Sequence, residues 1–123
     1  MLINLSNHPT ILWSANQTET ANREFGNVVD INFPQIDPSD DLPQIKKIAA
    51  EFVNRINKLF LQSNDSNNAV HIMGEFTFTF NLLEILKENN ITAVASTTSR
   101  EVVMDENGNK VSKFNFIRFR KYY

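Results

Sequence analysis

The sequence predicts an α/β fold, a three-layer sandwich in which four mainly parallel strands carry helices on both faces and a C-terminal β-hairpin follows. Three observations support this prediction. Short apolar segments alternate with longer segments of helical periodicity, the pattern of consecutive βαβ units. Asn107-Gly108 lies between two apolar stretches, as in a hairpin turn. The 123 residues suffice for one core, so we expect one domain over residues 1–123.

The first βαβ unit begins with the apolar run "LINLS", a candidate first strand. A helix follows within "WSANQTETANREFG", where Ser14 can cap the start and Gly26 stands at the position of a C-terminal glycine. "NVVDINFP" reads as the second strand and is stopped by Pro34.

The second helix is the clearest, because apolar residues recur at three- and four-residue steps from Leu42 to Phe60. Asp40 or Asp41 can cap it, and Pro43 suits its first turn. The segment "AVHIM" then predicts the third strand.

The segment "EFTFTFNLLEILKENN" is ambiguous, since its first half alternates like a strand and its second half has helical spacing. A strand running through Gly74 is unfavourable, so we expect a helix from about Glu75–Thr77 to Asn89–Asn90. "ITAVAS" predicts a fourth strand, and "EVVMDENGNKVSKFNFIRF" predicts a hairpin with a type I′ turn.

Composition excludes several classes of site. There is no cysteine, so disulfides and thiolate chemistry are excluded. With three glycines and no HExxH or clustered His/Asp set, we expect no phosphate-cradling glycine loop, no metal and no cofactor. No apolar run approaches the roughly 20 residues of a membrane span, and the start has no signal-peptide pattern. We therefore expect a cytoplasmic protein with no membrane partner.

The charge is uneven along the chain. Residues 1–99 hold 6 Lys/Arg and 11 Asp/Glu, a balance of −5, and residues 100–123 hold 6 and 3, a balance of +3, which together give −2. This distribution favours a local anion site over a long nucleic-acid track, although a basic tail that only aids solubility gives the same count.

Polar clusters follow the predicted strands where each one ends. In parallel sheets ligands collect beyond these carboxyl ends. Short hydroxyls, a helix N-terminus and one arginine there can bind a phosphate or another anion. The candidate binding residues are Ser6, Asn7, Thr10, Gly74, Thr77, Ser96, Thr97 and Thr98, and the candidate catalytic residues are Arg100, His8 and Glu75.

Each of these residues also has a structural interpretation. Ser, Thr and Asn at strand ends commonly form turns and helix caps, and Glu75 can complement a helix dipole. His71 lies inside an apolar strand, where a structural role is expected. The phenylalanines at 76, 78 and 80 fit a core or a subunit interface better than a base-stacking platform.

Five short stretches and one tryptophan together resemble a known family: "NLSNHP" with Trp13 soon after, "VDINFPQIDP", "HIMGEFTFTF", "ASTTSREV" and "KFNFIRFRKY". The chain is similar, over nearly its whole length, to small stand-alone CRISPR-associated proteins of type III systems with a CARF (CRISPR-associated Rossmann fold) domain. The resemblance implies a Rossmann-like fold, a homodimer, and binding of cyclic oligoadenylate, a ring-shaped second messenger. Some members are ring nucleases, which cut the ring and switch the antiviral response off.

The candidate residues suit that chemistry. A ring nuclease needs no metal when the ribose 2′-OH attacks the adjacent phosphate and leaves a 2′,3′-cyclic phosphate. Arg100 and the backbone N–H groups near Gly74–Thr77 can stabilise phosphoryl charge, and His8 or Glu75 can move a proton. Trp13 can pack against an adenine, although core burial is the alternative.

Three functions remain open from the sequence. The first is a cyclic oligoadenylate ring nuclease, and the second is a non-catalytic module that senses or sequesters the same nucleotide. The third is a small α/β protein that binds an unrelated phosphorylated ligand. The apolar circumference of the segment Phe76–Leu86 separately predicts a homodimer, because its own sheet covers one side and a symmetric partner is the simplest cover for the rest, with the outer face of the hairpin as the alternative.

Overall fold

The computed structural model describes residues 1–123 and contains one five-stranded sheet with three α-helices. The elements are β1 (Leu2–Ser6), α1 (Ala15–Phe25), β2 (Val28–Asp30), α2 (Leu42–Gln62), β3 (Ala69–Met73), α3 (Phe76–Glu88), β4 (Thr92–Met104) and β5 (Lys110–Lys121), with a 3₁₀ turn at Thr10–Leu12. The strand order is β2-β1-β3-β4-β5. The first four strands are parallel and β5 runs antiparallel to β4. The predicted α/β class with a mainly parallel sheet is therefore confirmed.

The first two helices begin at the caps that the sequence predicts. The Ser14 side chain accepts a hydrogen bond from the Gln17 N–H, and Gly26 ends α1 with a φ of 84°. At α2, Asp41 and Gln44 form a capping box, with Pro43 in the first turn. These local signals are strong because each capping residue forms hydrogen bonds with backbone groups that would otherwise be unpaired at the end of the helix.

The third helix begins at Phe76, within the range expected from Gly74, and ends at Asn89. Gly74 is needed for a different reason from the one considered in the sequence: a Cβ there would lie 2.2 Å from the ring of Phe33. That ring packs edge-on against Phe78, with centroids 5.2 Å apart. Asn90, in the left-handed region at φ 56°, closes the helix.

Two apolar cores lie on opposite faces of the sheet. The larger core joins α2 and α3 to residues such as Ile3, Leu5 and Ile72. The smaller core contains Leu2 and Val94 from the sheet and side chains from α1 and β5. Alternation along β1 sends Leu2, Asn4 and Ser6 to the α1 face and places Ile3 and Leu5 on the other. None of the helices has the length and apolarity required to span a membrane.

The fourth strand differs from its predicted form. It does not stop at Ser96 but continues to Met104, paired with β5 over its whole length from Val94 onward. The predicted hairpin is present, but its first arm is the continuation of β4 and not a separate strand, so the sheet has five strands. The hydroxyl run "STTS" looked like a turn, but Thr is also β-branched, and cross-strand pairing decides in favour of the strand.

The turn between β4 and β5 is also different. A type I′ turn needs a positive φ at both central residues, and here only Gly108 has one, at 77°. The Asp105 carboxylate accepts hydrogen bonds from the N–H groups of Asn107 and Asn109, and the Gly108 N–H donates to the Asp105 carbonyl. This is a type I turn followed by a left-handed glycine, the usual three-residue hairpin loop.

Candidate ligand-binding cleft

A cleft of about 540 Å³ opens on the α1 face of the sheet, where β1 and β3 end and β4 passes beside them. The chain reverses its progress through the sheet between β1 and β3, the position where open α/β sheets collect ligands. Thirteen residues line it: Ser6, Asn7, His8, Leu12, Trp13, Ser14, Gln17, His71, Met73, Ser96, Thr98, Phe114 and Phe116. Hydroxyl, amide and imidazole groups thus face aromatic side chains across one cavity.

A chain of hydrogen bonds runs across the floor of the cleft. The Ser96 Oγ lies 2.8 Å from His71 Nε2, and His71 Nδ1 lies 2.8 Å from Asn4 Oδ1. Asn4 Nδ2 donates in turn to Asp30 Oδ1 over 2.7 Å. The parallel register of β1, β3 and β4 brings these residues together, with Asn4 opposite His71.

The hydrogen bonds fix which ring nitrogen of His71 carries the proton. The Asp30 carboxylate only accepts, so Asn4 must present its amide N–H₂ to Asp30 and its oxygen to His71. His71 Nδ1 therefore donates to that oxygen, and Nε2 is left as an acceptor for the Ser96 hydroxyl. Gln17 Nε2 donates to the same Ser96 oxygen over 3.0 Å and holds it in place.

His71 is neutral at neutral pH. Only 2% of its surface is exposed, and its ring packs edge-on against Trp13 and Phe119. Burial and, to a smaller extent, the nearby His8 lower the pKa of His71 to about 4. A neutral imidazole has one unprotonated ring nitrogen, and that nitrogen can take up a proton from a hydroxyl.

The loop after β1 is organised around Asp30 and a carbonyl. Thr10 donates both its N–H and its hydroxyl to the Asp30 carboxylate. The His8 carbonyl accepts from Asn4 Nδ2 and from the indole N–H of Trp13. The loop that carries Asn7 and His8 is thereby tied to β1, β2 and the buried indole, so the cleft wall is held by several independent contacts.

Five of the predicted site residues come together in this cleft. They are Ser6, Asn7, His8, Ser96 and Thr98. Thr10 contacts Asp30 behind the wall, and the Thr97 hydroxyl donates to the Arg118 carbonyl. The prediction of a binding edge at β1 and β4 thus matches a real cavity, although not all of its members line it.

The Gly74–Thr77 segment serves α3 and does not line the cleft. The Glu75 carboxylate accepts hydrogen bonds from the Phe78 N–H, the Thr77 N–H and the Thr77 hydroxyl. The Phe78 N–H and then the Thr77 hydroxyl lower the pKa of Glu75. This carboxylate caps the helix with its acceptor sites engaged, which is the structural alternative considered from the sequence.

Arg100 lies outside the lining as well. Its Nε and Nη2 atoms both donate to the Ser112 hydroxyl across the hairpin, over 3.1 and 2.9 Å. Its cross-strand partner is Phe114, which does line the cleft, so Arg100 neighbours the cavity on an exposed arm while Ser112 holds its guanidinium. No lysine or arginine lines the cleft itself.

Sequence reasoning missed the residues at the centre of the site. His71 was interpreted as structural because an imidazole in an apolar strand usually is, and Asn4 and Gln17 were not considered. The only sequence signal is that polar residues occur within apolar strands. Asn4 and Ser6 are alternate residues of β1 and share one face of the sheet with His71 of β3, which lies opposite Asn4. Trp13, considered for stacking or burial, is buried and still borders the cavity.

Comparison with known proteins places the chain in a family without adding a ligand. No curated protein matches it, and no solved structure does. A family model described as "Uncharacterized protein MJ1673 family" matches residues 1–120, which is nearly the whole chain. The protein therefore belongs to the MJ1673 family.

Proposed function

We propose that this protein binds cyclic oligoadenylate in the cleft and cleaves the ring, and so switches off type III CRISPR signalling. One observation carries the proposal. A cavity at the carboxyl ends of parallel strands combines hydroxyl and amide groups with aromatic side chains and a neutral imidazole. The hydroxyl and amide groups can bind ribose and phosphate oxygens, and the aromatic side chains can stack on adenine rings. The neutral imidazole can remove a proton from a ribose hydroxyl.

The fold supports the same proposal. The mainly parallel sheet with helices on both faces is compatible with a Rossmann-like, doubly wound sheet, and the cleft lies beside the reversal between β1 and β3. This is the architecture that the CARF resemblance implies.

The proposed reaction uses side chains alone. The ribose 2′-oxygen attacks the adjacent phosphorus, the bond from phosphorus to the 5′-oxygen breaks, and the products are a 2′,3′-cyclic phosphate and a 5′-hydroxyl. His8, exposed at the cleft wall, supplies a proton to the departing 5′-oxygen. Thr98 and Asn7 position the ribose and phosphate, and Arg100 at the cavity edge contacts a phosphate that extends beyond the cleft.

A second candidate function is a non-catalytic module that binds the same nucleotide. It is favoured by the position of Arg100 outside the lining, because no lysine or arginine within the cleft then faces the phosphoryl oxygens as charge develops. Binding without cleavage is the result that would select this candidate.

We also propose that the protein is a homodimer. Phe76 and Phe80 lie one turn apart on α3 and expose 88% and 60% of their surface, next to the half-exposed Leu42 of α2. A second copy related by a twofold axis can cover this apolar strip with the same strip. Light scattering at micromolar concentration should give twice the chain mass, and Phe80→Glu should halve it; a wild-type monomer would contradict the proposal.

Substitution of two neighbouring threonines tests whether the ligand binds in the cleft. Thr98 lines the cavity, whereas Thr97 does not line it and donates to the Arg118 carbonyl. Thr98→Val should weaken binding of cyclic tetraadenylate by about 10-fold, the loss of one hydrogen bond to a charged group. Thr97→Val, the matched control, should bind like wild type. Equal affinities in the two variants would place the ligand elsewhere.

A further inference from the structure

We infer that Ser96, His71 and Asn4 form a proton relay in which Ser96 contacts the ligand hydroxyl, His71 is the general base, and Asn4 and Asp30 are positioning residues. The inference rests on the proposed function for its substrate. It gives Ser96, a candidate binding residue, a part in proton transfer, and it assigns roles to His71, Asn4 and Asp30, which neither the sequence pattern nor the family membership singles out.

The geometry is that of an activated hydroxyl. A serine within 2.8 Å of an imidazole nitrogen, with the other nitrogen held at 2.8 Å by a third group, is the arrangement that enzymes use to remove a hydroxyl proton. An amide oxygen can serve as the third group, as in Cys-His-Asn sites. Here the amide is itself fixed by the Asp30 carboxylate, which accepts from Asn4 Nδ2 over 2.7 Å.

The relay opens to the cleft at one end only. Ser96 lines the cavity and is partly exposed, whereas His71 is 2% exposed and shielded by the Trp13 and Phe119 rings. A ligand hydroxyl therefore reaches the base through Ser96. The titratable groups that face the imidazole are His8, from the loop after β1, and Asp30, through Asn4.

The proton transfers balance. As the ribose 2′-oxygen bonds to phosphorus, its proton passes to Ser96 Oγ, and the Ser96 proton passes to His71 Nε2. The bond from phosphorus to the 5′-oxygen breaks, and that oxygen takes the proton supplied by His8. His71 then loses its proton to solvent and His8 regains one, which restores the starting state.

A structural interpretation of the same hydrogen bonds makes a different prediction. A serine that only satisfies a buried histidine has an ordinary hydroxyl, whereas a serine whose proton is drawn to a base reacts with electrophiles. An alkyl fluorophosphonate tests this without any nucleotide. The Ser96 oxygen would bond to phosphorus, the bond from phosphorus to fluorine would break, fluoride would leave, and the proton would pass to His71.

Ser14 is the internal control for access. It lines the same cleft, but its oxygen accepts from the Gln17 N–H and has no imidazole partner. After treatment of the whole protein, peptide mass spectrometry should find the phosphonate on Ser96 at least 100-fold faster than on Ser14, on the scale of general-base catalysis. His71→Gln should remove that difference. Labelling of Ser96 no faster than Ser14 would overturn the relay.

The wild-type pH profile keeps the test independent of whether variants fold. Labelling of Ser96 should stay constant from pH 8 to about pH 5 and fall with a midpoint near 4, where His71 takes up its proton. A midpoint near the ordinary histidine value of about 6.5 would contradict the buried base.

The nucleotide assay separates failure of the relay from failure of the proposed function. Ser96→Ala should slow single-turnover cleavage of cyclic tetraadenylate by about 100-fold or more with its binding retained within a few-fold. If Ser96 is labelled rapidly but the protein neither binds nor cleaves the nucleotide, the proposed function is rejected and the activated serine is supported. Cleavage by Ser96→Ala at the wild-type rate would reject the relay and keep the function.

Discussion

Lowering the pH should destabilise the protein through a single buried histidine. The pKa of His71 is about 4 in the folded chain, against 6.5 for the ordinary side chain. Between these values the unfolded chain binds a proton at this residue that the folded chain does not bind. Stability therefore falls as the pH falls from 6.5 to 4 and is independent of this group above 6.5.

The size of the effect follows from the shift. The difference between 6.5 and about 4 corresponds to about 3 kcal/mol of unfolding free energy. About 2 kcal/mol of this should be lost by pH 5. Asp37, Asp65 and Glu75 also have lowered pKa values, so their stabilisation is lost at still lower pH, and a variant is needed to isolate His71.

The assay is urea unfolding followed by the fluorescence of Trp13, the single tryptophan, which is buried beside His71. Wild type and His71→Gln are compared at pH 7.5, 6.5, 5.5 and 5. The difference in unfolding free energy between them should shrink by about 2 kcal/mol over this range. His8→Gln, at the exposed histidine, should retain most of the wild-type pH dependence. A difference between wild type and His71→Gln that is constant with pH would refute the buried neutral imidazole.

Four further substitutions separate the local roles assigned above. Gly74→Ala should lower the unfolding free energy measured in urea by about 1–3 kcal/mol, because the added Cβ meets the Phe33 ring. Gly108→Ala should lower it by about 1 kcal/mol, because the added Cβ meets no neighbour and only the positive φ is unfavourable. Equal losses in the two variants would contradict the crowding at Gly74. Glu75→Ala should cost about 1 kcal/mol through the lost cap and leave cleavage unchanged, and a large loss of rate would return Glu75 to the active site. Arg100→Ala should weaken nucleotide binding about 10-fold in a titration, with little rescue by lysine because it lacks the planar fork. A 100-fold slower single turnover at saturating ligand would instead place Arg100 on the scissile phosphate.

The elements that the sequence predicted well are those with local signals. The caps at Ser14 and Asp41 and the apolar periodicity of α2 depend on neighbours within a few residues, so one sequence contains them. The end of β4 depends on pairing with β5, some 20 residues away, and "STTS" alone cannot distinguish a paired strand from a turn.

The sequence predicts at which edge of the sheet the site lies, but it does not predict which side chains contact one another there. Topology places Ser6 and His8 at the carboxyl end of β1, in the same cleft as Ser96 of β4, which passes beside that end. The contact between His71 and Ser96 depends on the register of β3 against β4, and the contact with Gln17 depends on how α1 lies on the sheet. A single sequence specifies neither quantity, so a buried histidine looked structural.

The central claim is that the protein cuts cyclic oligoadenylate without a metal. The most direct measurement is to incubate the protein with cyclic tetraadenylate and cyclic hexaadenylate in EDTA and to separate the products by chromatography with mass detection. The account predicts that at least one ring is converted to linear fragments ending in a 2′,3′-cyclic phosphate. Rings that remain intact and bound would select the non-catalytic module, and rings that remain intact and unbound would contradict the claim altogether.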